Sequence, residues 1–293
     1  MSKILITGAS GFIGRALTAN LRARERDVVP LDYEDGDIAS WETLAKLEQE
    51  NITQIFHLAG KTFVPDSWGD PQAFCRTNVL GTVNVLEFCR KSRIPMTYIS
   101  AYVYGHPDSL PIGENSPIRP SNPYALTKRL AEEACEFYAG AYDLPVTTIR
   151  PFNVYGIGQA DFFLIPTIIS QVLDDGEEIA VKDLAPKRDY VYLEDLVIAL
   201  LATLNKPGGY RVYNIGSGVS LSVQEAIDTI QKIAGTKKKV VCDNAIRANE
   251  LMDVVADISK AGKELGWYPR FSFHAGIENI IYWEREKRRY EQT

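Results

Sequence analysis

The stretch KILITGASGFIG, residues 3–14, constrains the fold of this chain more than any other. Its first five residues read as a short strand. Gly8, Gly11 and Gly14 follow at the spacing of a tight turn that opens a helix. Gly8 permits the turn, Gly11 lets the backbone approach a pyrophosphate, and Gly14 lets helix and strand pack closely. The helix then starts at Phe12 and Ile13 and presents free N–H groups to an anion. A strand that turns straight into a helix predicts a strand–helix–strand unit, and with it a parallel sheet.

The first half of the chain keeps that alternation. DVVPLD, QIFHLAG, MTYIS and VTTIRP read as further strands, separated by amphipathic stretches over 14–24, 41–50, 71–90 and 123–141. Apolar strands alternating with helices predict an α/β fold with a doubly wound parallel sheet covered on both faces. After Arg150 the alternation loosens. YGIGQADFFLIP reads as a loop entering a helix, EEIAVKDLAPKRDYV as mixed strand and loop, and YNIGSG as one more strand. SVQEAIDTIQKIAG is an amphipathic helix capped by Gly235. The expected division is a dinucleotide-binding core over 1–155 plus 188–216 and a smaller substrate-binding lobe over 156–187 plus 217–293.

Composition narrows the partners. The 293 residues carry a net charge of −6 with no long basic run, which argues against nucleic acid. No apolar run reaches the roughly 18 residues that a membrane span needs, and neither signal peptide nor span is expected. The four cysteines lack C-x-x-C spacing and the three histidines are dispersed, so no metal site and no disulfide framework are expected. Such cysteines fit thiols in a reducing cytoplasm, the expected location.

Asp32 closes the second strand, 18 residues beyond Gly14. A carboxylate there accepts the ribose hydroxyls and repels a 2′-phosphate. No arginine follows it directly, so NAD is favoured over NADP. Asp37 and Ile38 either flank the adenine or form a surface turn, and the short link from Asp32 to Asp37 leaves no room for a helix. Further along, SNPYALTK puts Tyr124 and Lys128 four residues apart, on one face of a helix. On its own that pair arises often by chance, and a packed ring beside a solvated amine has the same letters.

TGASGFIG, HLAG, NVLGTVNVLE, ISAYVYG, NPYALTK, IRPFNVYG, KRDYVYLEDL, YNIGSG and ADISKAGKELGWYP occur together in this order. In order and spacing the set resembles the extended short-chain dehydrogenase/reductases that act on nucleotide sugars, the NAD-dependent epimerase/dehydratase family, over almost the whole chain. The resemblance implies a Rossmann core, bound NAD, a nucleotide-diphosphate sugar as substrate, and a homodimer formed through the helices that carry Asn78 and Tyr124. It implies that Tyr124 exchanges the proton, that Lys128 lowers the tyrosine's pKa and bonds the nicotinamide ribose, and that Ser100 orients the substrate oxygen. Leu58, Ala59 and Gly60 of HLAG would line the cofactor, and Asn78 would support Lys128 and the backbone. Asn153, Arg188 and Arg247 match positions at the diphosphate, and Glu250 one at the nucleoside ribose.

Three reactions compete within that family. Ser100 is followed by Ala101 and Tyr102 rather than by acids, which argues against dehydration. GKTFVPDSW, GQADFF and KDLAPKRDY are similar to segments of reductases acting on GDP-4-keto-6-deoxy sugars. Reduction of a 4-keto-6-deoxy sugar nucleotide is therefore the leading expectation, and 4-epimerisation with tightly bound NAD is the alternative. A non-catalytic dinucleotide-binding sensor is compatible with the fold alone, but would typically lose the tyrosine or lysine.

Overall fold

The computed structural model describes residues 2–204, 208–243 and 250–291. Its strands are β1 (Lys3–Thr7), β2 (Asp27–Leu31), β3 (Ile52–His57), β4 (Met96–Ile99), β5 (Val146–Pro151) and β6 (Asn153–Tyr155), then β7 (Glu178–Val181), β8 (Lys187–Tyr192), β9 (Tyr210–Ile215), β10 (Ser220–Ser222) and β11 (Lys239–Cys242). The helices of the first half are α1 (Phe12–Ala23), α2 (Trp41–Ala45), α3 (Val64–Gly69), α4 (Pro71–Phe74), α5 (Gly81–Ser92) and α6 (Pro123–Tyr142). They are followed by α7 (Leu164–Leu173), α8 (Leu193–Ala202), α9 (Val223–Ala234), α10 (Ser259–Leu265) and α11 (Phe273–Glu291).

Six strands form one parallel sheet in the order β2-β1-β3-β4-β5-β9. The pleat sends alternate side chains of β1 to opposite faces, and both faces are buried. Ile4 and Ile6 pack with Leu17 and Leu21 of α1 and with Leu196 and Leu200 of α8. Leu5 packs on the other side with Val85 and Leu86 of α5 and Ala131 and Cys135 of α6. Burial on both faces is why these strands read as apolar runs. Thr7 is level with Leu31 and His57, so three strands end along one line. Strand order reverses at β1, and the crevice beyond such a switch point is where open α/β sheets bind ligands.

Two expected helices differ in detail. The 41–50 stretch is helical only over Trp41–Ala45 and continues as turns. The 71–90 stretch is helical throughout, but residues Cys75–Leu80 adopt π-helical turns between α4 and α5. That distortion lies where Asn78 turns inward. Its Oδ1 accepts from Lys61 N (2.8 Å), and its Nδ2 donates to Lys61 O and to Thr127 Oγ1 (3.0 Å each). Amphipathic periodicity carries no signal for such a contact.

The second half builds its own core. Strands β10-β8-β6 and the pair β11-β7 form two small sheets beside α7, α9 and α11. Ile165, Ile168, Ile227, Ile230, Ile277 and Ile281 interlock there. Helix α9 begins on a reciprocal Ser222–Glu225 capping box and ends at Gly235, whose φ of 75° suits a residue without a Cβ. Strands β6 and β8 pair with each other in parallel. Among the described residues, no helix is long and apolar enough to cross a membrane.

Candidate active site

A cleft of about 1530 Å³ runs along the C-terminal edge of the large sheet and continues under the lobe. At one end lies the glycine turn. Gly8 has φ 71°, and a Cβ on it would stand 2.8 Å from Ala59 N. A Cβ on Gly14 would stand 2.1 Å from Gly8 O, so the helix can start this close to the strand only with glycine there. Gly11 is the N-cap of α1 and gives no side-chain bond to the first turn, whose N–H groups at Phe12, Ile13 and Gly14 are left for an anion. Arg15 pins the turn, donating to Ser10 O (2.9 Å) and across the cleft to Gly158 O (3.2 Å).

Asp32 follows β2 and accepts from Ser10 N (2.8 Å) and Ser10 Oγ (2.9 Å), both on Oδ1. Asp37 and Ile38 also line the cleft. Two N–H groups of Arg76 reach Asp37 Oδ2 at 3.2 and 2.8 Å, and the guanidinium holds that carboxyl below its usual range. Arg76 is a cleft residue with no signal in the sequence, because 39 residues separate it from its partner.

The HLAG segment supplies Leu58, Ala59 and Gly60 to the cleft wall. His57 stands behind them, fully buried between two threonines. Thr82 Oγ1 gives its one proton to Asn78 O (2.6 Å) and therefore accepts from His57 Nε2–H (3.0 Å). Nδ1 is then the acceptor for Thr7 Oγ1 (2.7 Å), which itself accepts from Ala59 N (3.2 Å). This chain of bonds ties β1, β3 and α5 under the site. Asn78 holds the Gly60–Lys61 backbone from behind and does not itself line the cleft.

Ser100, Tyr124 and Lys128 come together in the middle of the cleft. Ser100 is fixed by its N–H to Ile149 O (2.7 Å), and its buried Oγ has no partner among the described residues. Helix α6 starts with Asn122 as its cap, the side chain accepting from Ala125 N (2.8 Å), and Pro123 follows in the first turn. Tyr124 is half-buried, its ring edge-on to Phe74. Lys128 is 2% exposed, donates to Ile99 O (2.8 Å) and lies 4.9 Å from the Tyr98 ring. Burial lowers Lys128 to about 8. Burial pushes the Tyr124 phenol well above its usual range, and the ammonium bonds the Ile99 carbonyl.

Toward the lobe, Asn153 donates to Asp189 O (3.2 Å), and Arg188 projects into the same cleft. Arg188 donates to Leu251 O and to the carboxylate of Glu250, so two residues expected as separate contacts are each other's partner. Arg247 lies outside the described residues. An aromatic rim closes this end. Phe63 meets Phe162 edge-on at 4.6 Å, Phe162 lies 4.7 Å from Phe163, and Tyr102 turns its hydroxyl away to Gly105 O (2.6 Å). Apart from the phenylalanine of GQADFF, sequence reading does not identify this rim, because its walls come from distant loops. Among the described residues, no three histidine, cysteine or carboxylate side chains converge on a metal site.

A family model described as "NAD dependent epimerase/dehydratase family" matches residues 4–216. The chain is 31% identical to a putative UDP-glucose 4-epimerase of Methanocaldococcus jannaschii, over 98% of this chain and 99% of that one. It is 30% identical to the GDP-6-deoxy-D-mannose reductase of Pseudomonas aeruginosa, over 98% of each. The solved structure of MoeE5 in complex with UDP-glucuronic acid and NAD matches with a TM-score of 0.89 at 31% identity, covering 97% of this chain and 99% of that one.

Proposed function

This chain belongs to the NAD-dependent epimerase/dehydratase family, and from that premise we propose that it reduces a nucleotide-diphosphate 4-keto-6-deoxy hexose at C4. The observation that carries this reading is the buried Ser100 hydroxyl, which lacks a partner among the described residues in the cleft that also holds Tyr124, Lys128 and the glycine turn. A buried hydroxyl without a bond is costly, and a substrate oxygen would satisfy it.

The residues fit a dinucleotide. The uncapped first turn of α1 suits a diphosphate, and the Asp32 carboxylate suits ribose hydroxyls better than a 2′-phosphate, which favours NAD over NADP. NAD(H), when bound, supplies the hydride. Tyr124 gives the proton to the carbonyl oxygen as hydride reaches C4, so C=O becomes CH–OH. Tyr124 is a phenol at neutral pH, the protonated form that ketone reduction needs; burial alone makes that phenol a weaker acid, so the proton transfer depends on charge placed beside it. Ser100 orients the same oxygen, and Lys128 keeps a positive charge beside the transfer. Arg188 offers planar donors to the diphosphate and would have to leave Glu250 to do so.

The aromatic rim of Phe63, Phe162 and Phe163 favours a sugar with an apolar C6, and so the reductase. The 4-epimerase reading draws support from the similarity to a UDP-glucose 4-epimerase. The four free cysteines suit a reducing compartment, and we propose a cytoplasmic location. We also infer a homodimer through α6. Leu126, Leu130 and Phe137 form an exposed stripe on one face of that helix, and Leu80 is exposed at the end of the Cys75–Leu80 π-helical turns.

Mass spectrometry and absorbance of the purified protein, followed by substrate assays, test this reading. Stoichiometric NADH consumption with a 4-keto-6-deoxy sugar nucleotide, abolished by Tyr124→Phe, is expected. Interconversion of UDP-hexoses by protein-held NAD, with no net NADH use, would establish the epimerase instead. Turnover of neither substrate set, with Tyr124→Phe indistinguishable from the parent, would overturn both.

A further inference from the structure

Tyr124, Lys128 and Glu132 follow at intervals of four along α6 and therefore share one face, a turn apart. The first two line the cleft, and Glu132 is fully buried behind them. Its carboxylate is gripped at two points by Arg150 of β5, itself 3% exposed. Nε reaches Oε1 at 2.9 Å and Nη2 reaches Oε2 at 2.6 Å. Arg129 approaches Oε2 at 3.6 Å. Arg150 Nη1 also donates to Tyr104 Oη (2.8 Å) and to Glu114 O (3.2 Å), and Tyr104 donates to Asn214 Oδ1 of β9 (2.6 Å). Through this network the midpoint of α6 is tied to two strands of the sheet and to the loop after β4. A buried ion pair adds little net stability over an apolar pair of the same volume. Its place directly behind the cleft lysine therefore calls for a role.

The groups facing Lys128 define that role. On α6 they are Tyr124, Glu132 and Cys135, and burial keeps the Cys135 thiol protonated. From β3 comes His57, neutral because burial lowers its pKa to about 3. From β4 come the Tyr98 ring and the Ile99 carbonyl, from the loop after β3 comes Gly60, and from the π-helical turns the carboxamide of Asn78. Among these described neighbours Glu132 is the one carboxylate. We propose that Glu132 is a positioning residue for Lys128: clamped by Arg150, it fixes the rotational setting of α6 and holds the lysine's ammonium charge in the cleft wall. Burial draws Lys128 toward the neutral amine, and Glu132 is the strongest opposing influence. The proposal rests on Lys128 serving hydride transfer, but its direct readout does not.

That readout is a titration of the Lys128 ε-carbon by NMR in substrate-free protein labelled with ε-13C lysine, the signal assigned with Lys128→Arg. Glu132→Gln is expected to lower the Lys128 midpoint by about one pH unit. The alkaline limb of kcat/KM should move with it. Glu133→Gln removes the same charge from an exposed neighbour and is expected to move neither. An unchanged Lys128 midpoint in Glu132→Gln, with only a lower Tm, would reduce Glu132 to a structural residue and overturn the proposal. Should that variant not fold, Glu132→Asp keeps the charge and gives up the two-point grip. It is expected to keep the midpoint and to lose roughly tenfold in kcat with little change in KM. Parental kcat in Glu132→Asp would equally overturn the positioning role. A shifted midpoint in a protein that turns over no nucleotide sugar would leave this proposal standing and remove the reading of the substrate.

Discussion

In water a lysine holds its proton to about pH 10.5, but Lys128 is closed off from solvent and burial brings it down to about 8. The sign of the linkage follows. Below about pH 8 both folded and unfolded chains carry the charge, and the fold bears the full cost of burying it. Between pH 8 and 10.5 only the unfolded chain keeps the proton, so this residue's contribution to stability improves as pH rises through that window. The cost at neutral pH is roughly 3 kcal/mol. Lys128→Met removes it. The expected outcome in a thermal melt at pH 7 is a Tm higher by a few degrees, together with loss of hydride transfer; a lower Tm would show that the bond to Ile99 O outweighs the buried charge. Ser100 carries the complementary signature. Its Oγ bonds nothing among the described residues, so Ser100→Ala should leave the urea midpoint near the parent's while lowering kcat by roughly 10²-fold. A stability loss without a rate effect would mark that hydroxyl as structural.

Elements transmit these demands through very short distances. Helix α1 can begin where it does only because Gly14 passes against Gly8 O, where a Cβ would stand 2.1 Å away. Gly14→Ala is expected to push the helix start off the strand, weakening NAD binding at least tenfold, as isothermal calorimetry would read it. An unchanged Kd would mean that the turn relaxes at no cost. The threonine–histidine chain under the HLAG loop behaves differently, because its partner is pH. His57 is buried neutral with its pKa near 3, while the unfolded chain takes up a proton near 6.5. Below pH 6.5 the unfolded state is therefore favoured progressively, until pH 3, at up to about 1.4 kcal/mol per pH unit for this one group. Denaturant unfolding at pH 7 and pH 4.5 should show His57→Gln losing about 2.5 kcal/mol less than the parent between the two conditions. Equal losses would place the acid sensitivity elsewhere.

At the scale of the whole molecule, Leu126, Leu130 and Phe137 form an apolar stripe on α6 that is exposed among the described residues. A second copy of α6 is expected to cover it. Light scattering should give twice the chain mass for the parent and the single mass for Leu130→Glu combined with Phe137→Glu; a monomeric parent would end the dimer reading. Much of the site was legible because it is local. The glycine turn, the Tyr124–Lys128 spacing, Ser100 at a strand end and Asp32 beyond β2 depend on offsets within one strand, turn or helix, and such offsets are set by backbone geometry. The parallel sheet was legible for the same reason, since a strand turning into a helix leaves few ways back. Contacts made across the fold were not. Arg76 with Asp37, Arg188 with Glu250, Glu132 with Arg150 and Phe63 with Phe162 join residues far apart in the chain, and no pattern of letters announces them. The sequence by itself determined the local spacings of the candidate proton-exchanging side chains and of the glycine turn. Tertiary structure alone decided their ionisation, because the pKa of Tyr124, Lys128 or His57 depends on how much water the folded chain excludes, and that exclusion is the work of residues from every part of it.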